Sequence, residues 1–518
     1  MADPINRKWV EFTDWSDGEY GTKPAHLASE QSFTGSNVVR YESGLLGPRA
    51  GLHKHTITDN VSGELWGLFY IGVATDGALA VIIGDTVYLT DNDTDFTLTP
   101  IDTLGAEPTI PVTFTMYDPN AQVYLTNLND ATYVLSVDAQ TLTQILDKGG
   151  ITCFLWKDRL YVTGVRDEAP PAGPWTVFYS DAADFETFTG LFFSLGYHWD
   201  GYAFAALGNN LFVGSRSEGW WALTGGSPDT GTLRLLHPAD APHKQQCVVT
   251  ENGTTWFWRE GYDGESGIDL EAGTAKLGAT NGSVWEMDEW GHLELDGERF
   301  GLFSGRRRHV VFVSSTDKGL IRSYGAWSHH DFDVDLNGHV CDTNTSDRVV
   351  LGGGEGDVEH DFYSLDLSLN RPAFIGDGRA DCGDDSDTAL DAHMATKLWL
   401  HPAGDEVAVR RVVVEFVRWD TGSLDGDADP ETNHMDIKVG TVGRNGNPGI
   451  DYETIVWDGD PAEATAAGAA GIEDRVVKNF GTYGFGGGFI VKIENMRGVA
   501  IRRILVEYMD NAPRIDAA

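Results

Sequence analysis

Cysteine, lysine and long apolar runs are scarce in this 518-residue chain, and each scarcity removes a class of protein. The four cysteines, Cys153, Cys247, Cys341 and Cys382, lie far apart, with no Cys-x-x-Cys pair and no zinc-ligand spacing. They read as separate reduced thiols in strands. No window approaches the roughly 18 apolar residues of a membrane-spanning helix, so no membrane insertion is expected. The opening MADPINRKWVEF lacks a basic stretch followed by an apolar one, so no secretory signal is read there. Lysine supplies 12 of 37 basic residues against 79 acidic ones, for a formal net charge of −42. That balance excludes a protein that grips nucleic acid through clustered cations and counterion release. It permits a surface past which DNA slides without sticking. A GC-rich coding genome and adaptation to high salt would both leave few lysines and many aspartates, and the sequence does not separate them.

Catalytic signatures are missing too. There is no G-x-S-x-G, no H-E-x-x-H, no P-loop and no S-x-D-x-G-x-T-W repeat of the sialidase type. A glycan-cleaving propeller needs paired carboxylates at one mouth, and no pair stands out among so many. No catalytic residue, no enzyme activity and no organic cofactor are therefore assigned.

What the chain does have is glycine and aromatics: 62 Gly, 16 Trp, and 11% Phe, Trp and Tyr. With few long helical patterns, this describes an all-β protein with many turns, and the length calls for two or three domains. The stretch Trp175–Gly190, WTVFYSDAADFETFTG, reads as two aromatic strands joined by a polar turn. Looser copies are Val87–Phe96, Ile321–Phe332 and Asp361–Leu367. An aromatic near a strand end marks each unit: Tyr88, Tyr133, Tyr179, Trp221, Trp285, Tyr324 and Tyr363, at spacings of 45, 46, 42, 64, 39 and 39. Most fall in or near the roughly 40–50 residues of a four-stranded propeller blade. The long interval holds a Gly- and acid-rich insertion, 261–279. Legible strand pairs are Leu79–Ile83 with Thr86–Thr90, Phe154–Trp156 with Arg159–Thr163, Tyr202–Leu207 with Asn210–Gly214, and His309–Ser314 with Leu320–Tyr324. The turns Gly84-Asp85, Lys157-Asp158 and Gly208-Asn209 suit tight hairpins. Seven blades fit best; six or eight, or an array of irregular sandwiches, are the alternatives.

The fold expected is thus an all-β chain: a β-propeller of about seven blades followed by a C-terminal antiparallel β-sandwich or jelly roll. The divisions are residues 1–60 as an irregular segment with a hairpin, 61–375 as propeller, 376–390 as linker and 391–518 as sandwich. The hairpin is Val38–Tyr41, then Ser43-Gly44, then a bend at Gly47-Pro48-Arg49. The sandwich is read from Val407–Trp419, Met435–Val442, Phe489–Glu494 and Val499–Met509; 460–471 is a small-residue loop or short helix.

Four features could carry chemistry. Asp333, Asp335 and Asn337 match the first half of a calcium loop, D-x-[DN]-x-[DN]-G, but position 12 is Asn344, so the EF-hand form fails. They are retained as candidate Ca2+ ligands in a shorter β-loop, against an ordinary acidic turn; Asp425–Asp429 and Asp91–Asp95 are weaker versions. His53 with His55 could share a strand face, whereas His329 and His330 face opposite ways. Arg306-Arg307-Arg308 is the one basic cluster, read as a solvated turn or a subunit contact. Trp220-Trp221 and Trp256-Phe257-Trp258 offer sugar-stacking faces, against the reading that they are core.

The series Asn37-Val38, Tyr41, Gly44-Leu45, Pro48-Arg49, Gly51 resembles the opening of tailed-bacteriophage propeller proteins. Phe178–Asp181 with Asp184, Phe185 and Phe188 is similar to their blade signature. Arg322–Trp327 is similar to their strand–turn–Trp repeat, and Phe489–Glu494 with Ile501–Met509 to their closing domain. The family is the tail nozzle, or packaged-DNA stabilisation, protein of short-tailed phages. The resemblance implies a structural virion protein in the viral tail, assembled in the host cytoplasm into a homo-oligomeric ring, a hexamer. Its partners would be itself, neighbouring tail or head–tail connector proteins, and DNA passing through a channel without specific binding. A receptor- or glycan-binding tail adhesin is the alternative, and a glycan-cleaving enzyme a third.

Overall fold

A computed structural model describes residues 7–510, except 20–28, 72–77, 166–174, 238–244, 260–272, 279–286, 290–298, 368–379, 419–433, 443–452, 459–471 and several stretches of five residues or fewer. The insertion at 261–272, the Arg306–Arg308 cluster, Trp285, Asp425–Asp429 and the 460–471 segment lie outside the described residues.

The middle of the chain forms seven antiparallel blades. The first four are complete meanders in chain order. Blade one is Leu65–Ile71, Ala78–Ile83, Thr86–Asp91 and Thr99–Thr103. Blade two runs Thr113–Tyr117 to Thr141–Leu146, blade three Thr152–Trp156 to Phe192–Ser194, and blade four Gly201–Leu207 to Thr232–His237. Blade five runs Val248–Glu251 to Met287–Glu289, and blade six Arg299–Ser304 to Ala326–Asp331. Blade seven takes three strands from Leu336–Asp342, Arg348–Gly353 and Asp361–Asp366. Its fourth comes from the other end of the chain: Leu52–Ile57 pairs antiparallel with Asp361–Asp366, Leu52 opposite Leu365 and His55 opposite Phe362. The innermost strands pack side by side from blade to blade, and that of blade seven returns to that of blade one, so the ring closes.

Local chemistry explains the blades. Two-residue loops at Gly84-Asp85, Lys157-Asp158, Gly208-Asn209 and Tyr324-Gly325 join paired strands. At the last, Tyr324 (φ 47) and Gly325 (φ 96) both take the left-handed backbone that matches strand twist. The recurrent aromatics have a common position: Tyr88, Tyr133, Tyr179, Trp221 and Tyr363 sit on the third strand of blades one, two, three, four and seven. Tyr324 falls one residue past that strand in blade six. There they pack between blades, as Tyr179 does with Trp156, Tyr161 and Phe204.

The unit at Trp175–Gly190 departs from expectation in its second half. Thr176–Tyr179 is a strand, but Phe185 and Phe188 are not; the blade resumes at Phe192–Ser194. The Ser180–Thr189 turn is held by Asp181 N–H on the Thr187 carbonyl at 2.9 Å and Thr189 Oγ1 on Asp181 Oδ1 at 2.6 Å. That turn swings Phe185 onto Tyr117 and Tyr124 of blade two, with ring centroids 4.9 and 6.0 Å apart. The aromatic pattern there encodes contact between blades and not a strand.

The closing domain is a sandwich of two sheets. One is built on Val407–Arg418 between Val499–Asp510 and Ile472–Asn479. The other runs through Ser32–Ser36, His393–Thr396, Gly488–Arg497, His434–Val442 and Glu453–Asp458. Their inner faces alternate as half-buried strands must, and Val412, Val414, Phe416, Ile437, Val491, Ile493, Ile504 and Val506 form one core. Among the described residues of the 1–60 division, several are strands of the sandwich and propeller. Arg7–Thr13 pairs along Val499–Asp510 from Arg7 opposite Met509 to Thr13 opposite Arg503, and Phe12 and Trp15 are wholly buried in the sandwich core. The physical reason is that a strand of 12 residues, Val499–Asp510, has one edge covered by Val407–Arg418 and needs a partner on the other. His393–Thr396, at the start of the 391–518 division, is a further sandwich strand.

Leu52 is fully buried in the seam strand, so Leu52→Ala should lower unfolding free energy by about 2–5 kcal/mol. Phe192→Ala, at an exposed position on an outer strand, should change it by about 0.5 kcal/mol or less. Urea titration of both variants checks this ranking, and equal losses would contradict ring closure by Leu52–Ile57.

Candidate functional site

Residues singled out in the opening hairpin converge on the joint between sandwich and propeller. Val38–Arg40 pairs with Leu46–Pro48, and the turn between them is closed by Gly44 N–H on the Tyr41 carbonyl at 2.9 Å. Tyr41 is buried and its hydroxyl donates to the Pro48 carbonyl; burial pushes the phenol's pKa up. Gly47 is there because a Cβ would meet Ala500 Cβ at 2.7 Å and the Tyr41 ring at 3.0 Å. Val39, Tyr41 and Leu45 enter one apolar cluster with Val311 and Ile321 of blade six, Leu351 and Leu365 of blade seven, and Val417 and Ala500 of the sandwich.

A buried polar knot completes the joint. Asn37 takes φ 58, a conformation that asparagine tolerates. Its Oδ1 accepts from Arg49 Nε and from the Asp331 N–H, both at 3.1 Å. Arg49 is 2% exposed, lies 4.5 Å over the Phe332 ring and donates from Nη2 to the Asp331 carbonyl at 3.0 Å. Ser36 Oγ donates to Asp331 Oδ2 at 2.8 Å, and a single parallel bridge sets Ser36 opposite His329. Arg40 reaches the blade-six hairpin tip, with Nη1 2.8 Å from the Tyr324 carbonyl, while its Nη2 pairs with Asp14 Oδ1 at 2.8 Å.

His329 and His330 face opposite ways, as strand geometry requires. His330 is wholly buried, with Nε2 3.0 Å from Ser328 Oγ and Nδ1 without a hydrogen-bond partner. Burial, then the nearby Arg49 charge and His329, hold its pKa well below the ordinary 6.5. His55 is also buried, stacked on Phe96 at 4.4 Å. The side chain of His53 lies outside the described residues.

A second site opens where the ring closes. A cavity of about 410 Å³ lies between blades seven and one, lined by Glu64, Trp66, Thr109, Asn337, His339 and His360 among others. These residues come from the entries to two innermost strands, the segment before blade two and the segment before Asp361–Asp366. Asn337 Oδ1 accepts the His339 N–H at 3.2 Å. Thr109 and Asn129 bond each other side chain to side chain, which fixes that wall.

Of the candidate Ca2+ ligands, Asp333 lies outside the described residues, Asp335 is exposed and Asn337 faces the cavity. Asp317 and Asp361 lie near Asp335. Burial and then the Asp335 charge raise the Asp317 pKa, although its carboxylate accepts the Leu336 N–H at 2.6 Å. Lys54 Nζ sits 3.1 Å from Asp361 Oδ2. Among the described residues no group of three His, Cys, Asp or Glu side chains is placed to hold a metal ion. Cys153 and Cys341 are buried free thiols, and burial pushes Cys153 up to about 12. Trp220 is no sugar platform: it is fully buried against Phe257 at 5.4 Å. Trp221 is partly buried in the blade three–four core, and the side chains of Trp256 and Trp258 lie outside the described residues.

Fold and site together define a seven-bladed β-propeller locked to a β-sandwich. No family model matches the chain, and no curated protein matches it. Among solved structures it is similar to BamB from Moraxella catarrhalis, at 10% identity over 65% of this chain and 98% of that one, with a TM-score of 0.40. It is similar to a chain of a mitotic checkpoint complex, at 10% identity over 61% and 93%, TM-score 0.40. The computationally designed Ika8 protein gives 12% identity over 60% and 100%, TM-score 0.36. None of these supplies a function, and the propeller is established by its own strand pairing.

Because native His330 resists protonation, its contribution to stability is full above pH 6.5. It is lost as pH falls from there toward the depressed native pKa, where the unfolded chain binds a proton that the native one does not. Between pH 6.5 and about 5, above the carboxylate range, His330→Gln should flatten the decline in unfolding free energy relative to the parent chain. Parallel slopes in denaturant titrations across that window would contradict it. Arg49→Met should cost about 1–3 kcal/mol by removing the Arg49 donor to the Asp331 carbonyl and one of the two donors to Asn37 Oδ1, read in the same titrations.

Proposed function

We propose that this is a structural virion protein of a viral tail: a nozzle-like ring subunit that seals the genome exit channel and passes DNA during ejection. The observation that carries the reading is the joint. Residues of the opening motif in the phage resemblance, Asn37, Tyr41, Gly44, Leu45, Pro48 and Arg49, lock propeller and sandwich into a single piece. A ring component that withstands the pressure of packaged DNA needs such a fixed angle between its domains. Work of this kind requires no catalysis, and the partners are further copies of the chain in a hexamer and adjoining tail or connector proteins.

Charge supports a conduit between subunits. Among the described strands, the seven innermost of the propeller carry only Glu251, Arg299 and Asp342 as ionisable Asp, Glu, Lys or Arg. The propeller's own centre is therefore close to neutral, and the −42 balance resides elsewhere. Outer surfaces so charged repel phosphate at short range and let DNA pass. On this reading the DNA channel is enclosed by several subunits.

The full-length chain, purified and imaged by negative stain with its mass measured in solution, should form closed hexameric rings around an open centre. A monomer at all concentrations and salt strengths would overturn the proposal, and so would a ring whose central wall is lined by Arg and Lys.

A further inference from the structure

We infer that the cavity at the closing seam of the propeller is a binding site for an uncharged saccharide. The inference goes beyond the ring reading and does not rest on it. The cavity's volume, about 410 Å³, is at the lower end of the roughly 300–1,000 Å³ typical of small-molecule sites, which suits one or two sugar rings. Its lining combines a half-buried indole, Trp66, with an exposed carboxylate, Glu64, an amide, Asn337, and two imidazoles, His339 and His360. An aromatic face beside a few convergent polar groups offers apolar C–H surface and hydroxyl groups the partners each needs.

The chemistry selects among ligand classes. Anions are disfavoured by Glu64 and by the nearby Asp317, Asp335 and Asp361, in a chain of net charge −42. A metal ion lacks its ligand set here, because no described trio of His, Cys, Asp or Glu converges. An organic cation would meet the Glu64 charge and the Trp66 face, but its N–H groups can only donate, and the Asn337 Oδ1 beside them already accepts the His339 N–H. A hydroxyl both donates and accepts, so a neutral polyol meets the whole lining.

The cavity is also pre-formed. Asn337 is oriented by its bond from the His339 N–H, and Gly352 leaves room for it: a Cβ there would meet Asn337 Oδ1 at 2.7 Å and Leu65 at 2.7 Å. Thr109, Asn129 and the Asn129 Nδ2 bond to the Glu107 carbonyl at 3.1 Å hold the opposite wall. Little has to be ordered when a ligand enters, which is what a weak saccharide complex requires.

The test is saturation-transfer NMR and titration calorimetry of the full chain with glucose, galactose, N-acetylglucosamine and their β-1,4-linked disaccharides. Spermidine serves as cationic and inorganic phosphate as anionic counter-probe. At least one neutral saccharide should bind with a Kd below about 10 mM. Trp66→Ala and Glu64→Gln should each weaken it by about tenfold or more. Glu64 is exposed, so its variant keeps the fold, and an unchanged melting temperature verifies this. No binding by any of the sugars, binding that survives both substitutions, or preferred binding of spermidine or phosphate would overturn the assignment. Ring formation is read separately, so loss of sugar binding leaves that result untouched.

Discussion

The structure depends on where the first fifty-seven residues go. One continuous stretch supplies Arg7–Thr13 to the sandwich, Ser32–Ser36 to the contact with blade six, the Val38–Pro48 hairpin to the joint and Leu52–Ile57 to blade seven. A propeller without its last strand leaves blade seven with an open outer edge along Asp361–Asp366. A sandwich without its first strand exposes the flank of Val499–Asp510. Both gaps are filled by the same piece of chain, so the two domains are stabilised together and at a fixed relation.

The joint uses two kinds of interaction for different ends. The apolar cluster of Tyr41, Leu45, Leu351, Leu365 and Ala500 supplies most of the stabilisation, through area removed from water. The polar knot of Asn37, Arg49 and Asp331 adds less free energy, but its bonds have direction: each N–H must stay near linear to its oxygen or the bond weakens steeply. A sliding or tilting sandwich would strand these buried groups, which is expensive. The apolar contact therefore holds the domains together and the polar one sets the angle. Buried His330 keeps one ring nitrogen without a hydrogen-bond partner beside this joint.

Much of the propeller was legible because hairpins are local. The turns Gly84-Asp85, Lys157-Asp158 and Gly208-Asn209 announced strand pairs that the register bears out. The aromatic spacing marked the third strand of successive blades, a consequence of equal blade length. What escaped was non-local. Nothing near Leu52 says that its partner is Leu365, over three hundred residues on. The strand at Arg7–Thr13 reads as irregular because Trp9 lies exposed at an edge while Phe12 and Trp15 are buried, a pattern too short to show its period. Of the two readings of Trp220, sugar platform or core, the structure bears out core, because the neighbouring blade covers it. Of the seam cavity only Asn337 stood out in the sequence, and there as a candidate Ca2+ ligand. Trp66, Thr109 and His339 lie in three separate parts of the chain, brought together by the closing of the circle.

The central claim is that the opening segment makes propeller and sandwich one cooperative unit. Native-state hydrogen exchange of the full chain measures this directly. The account predicts that amides in Arg7–Thr13, Leu52–Ile57 and Val499–Asp510 exchange with one common opening free energy, equal to that of global unfolding, and respond alike to denaturant. Separate and lower opening energies for Leu52–Ile57 or Arg7–Thr13, with the rest of either domain still protected, would contradict it.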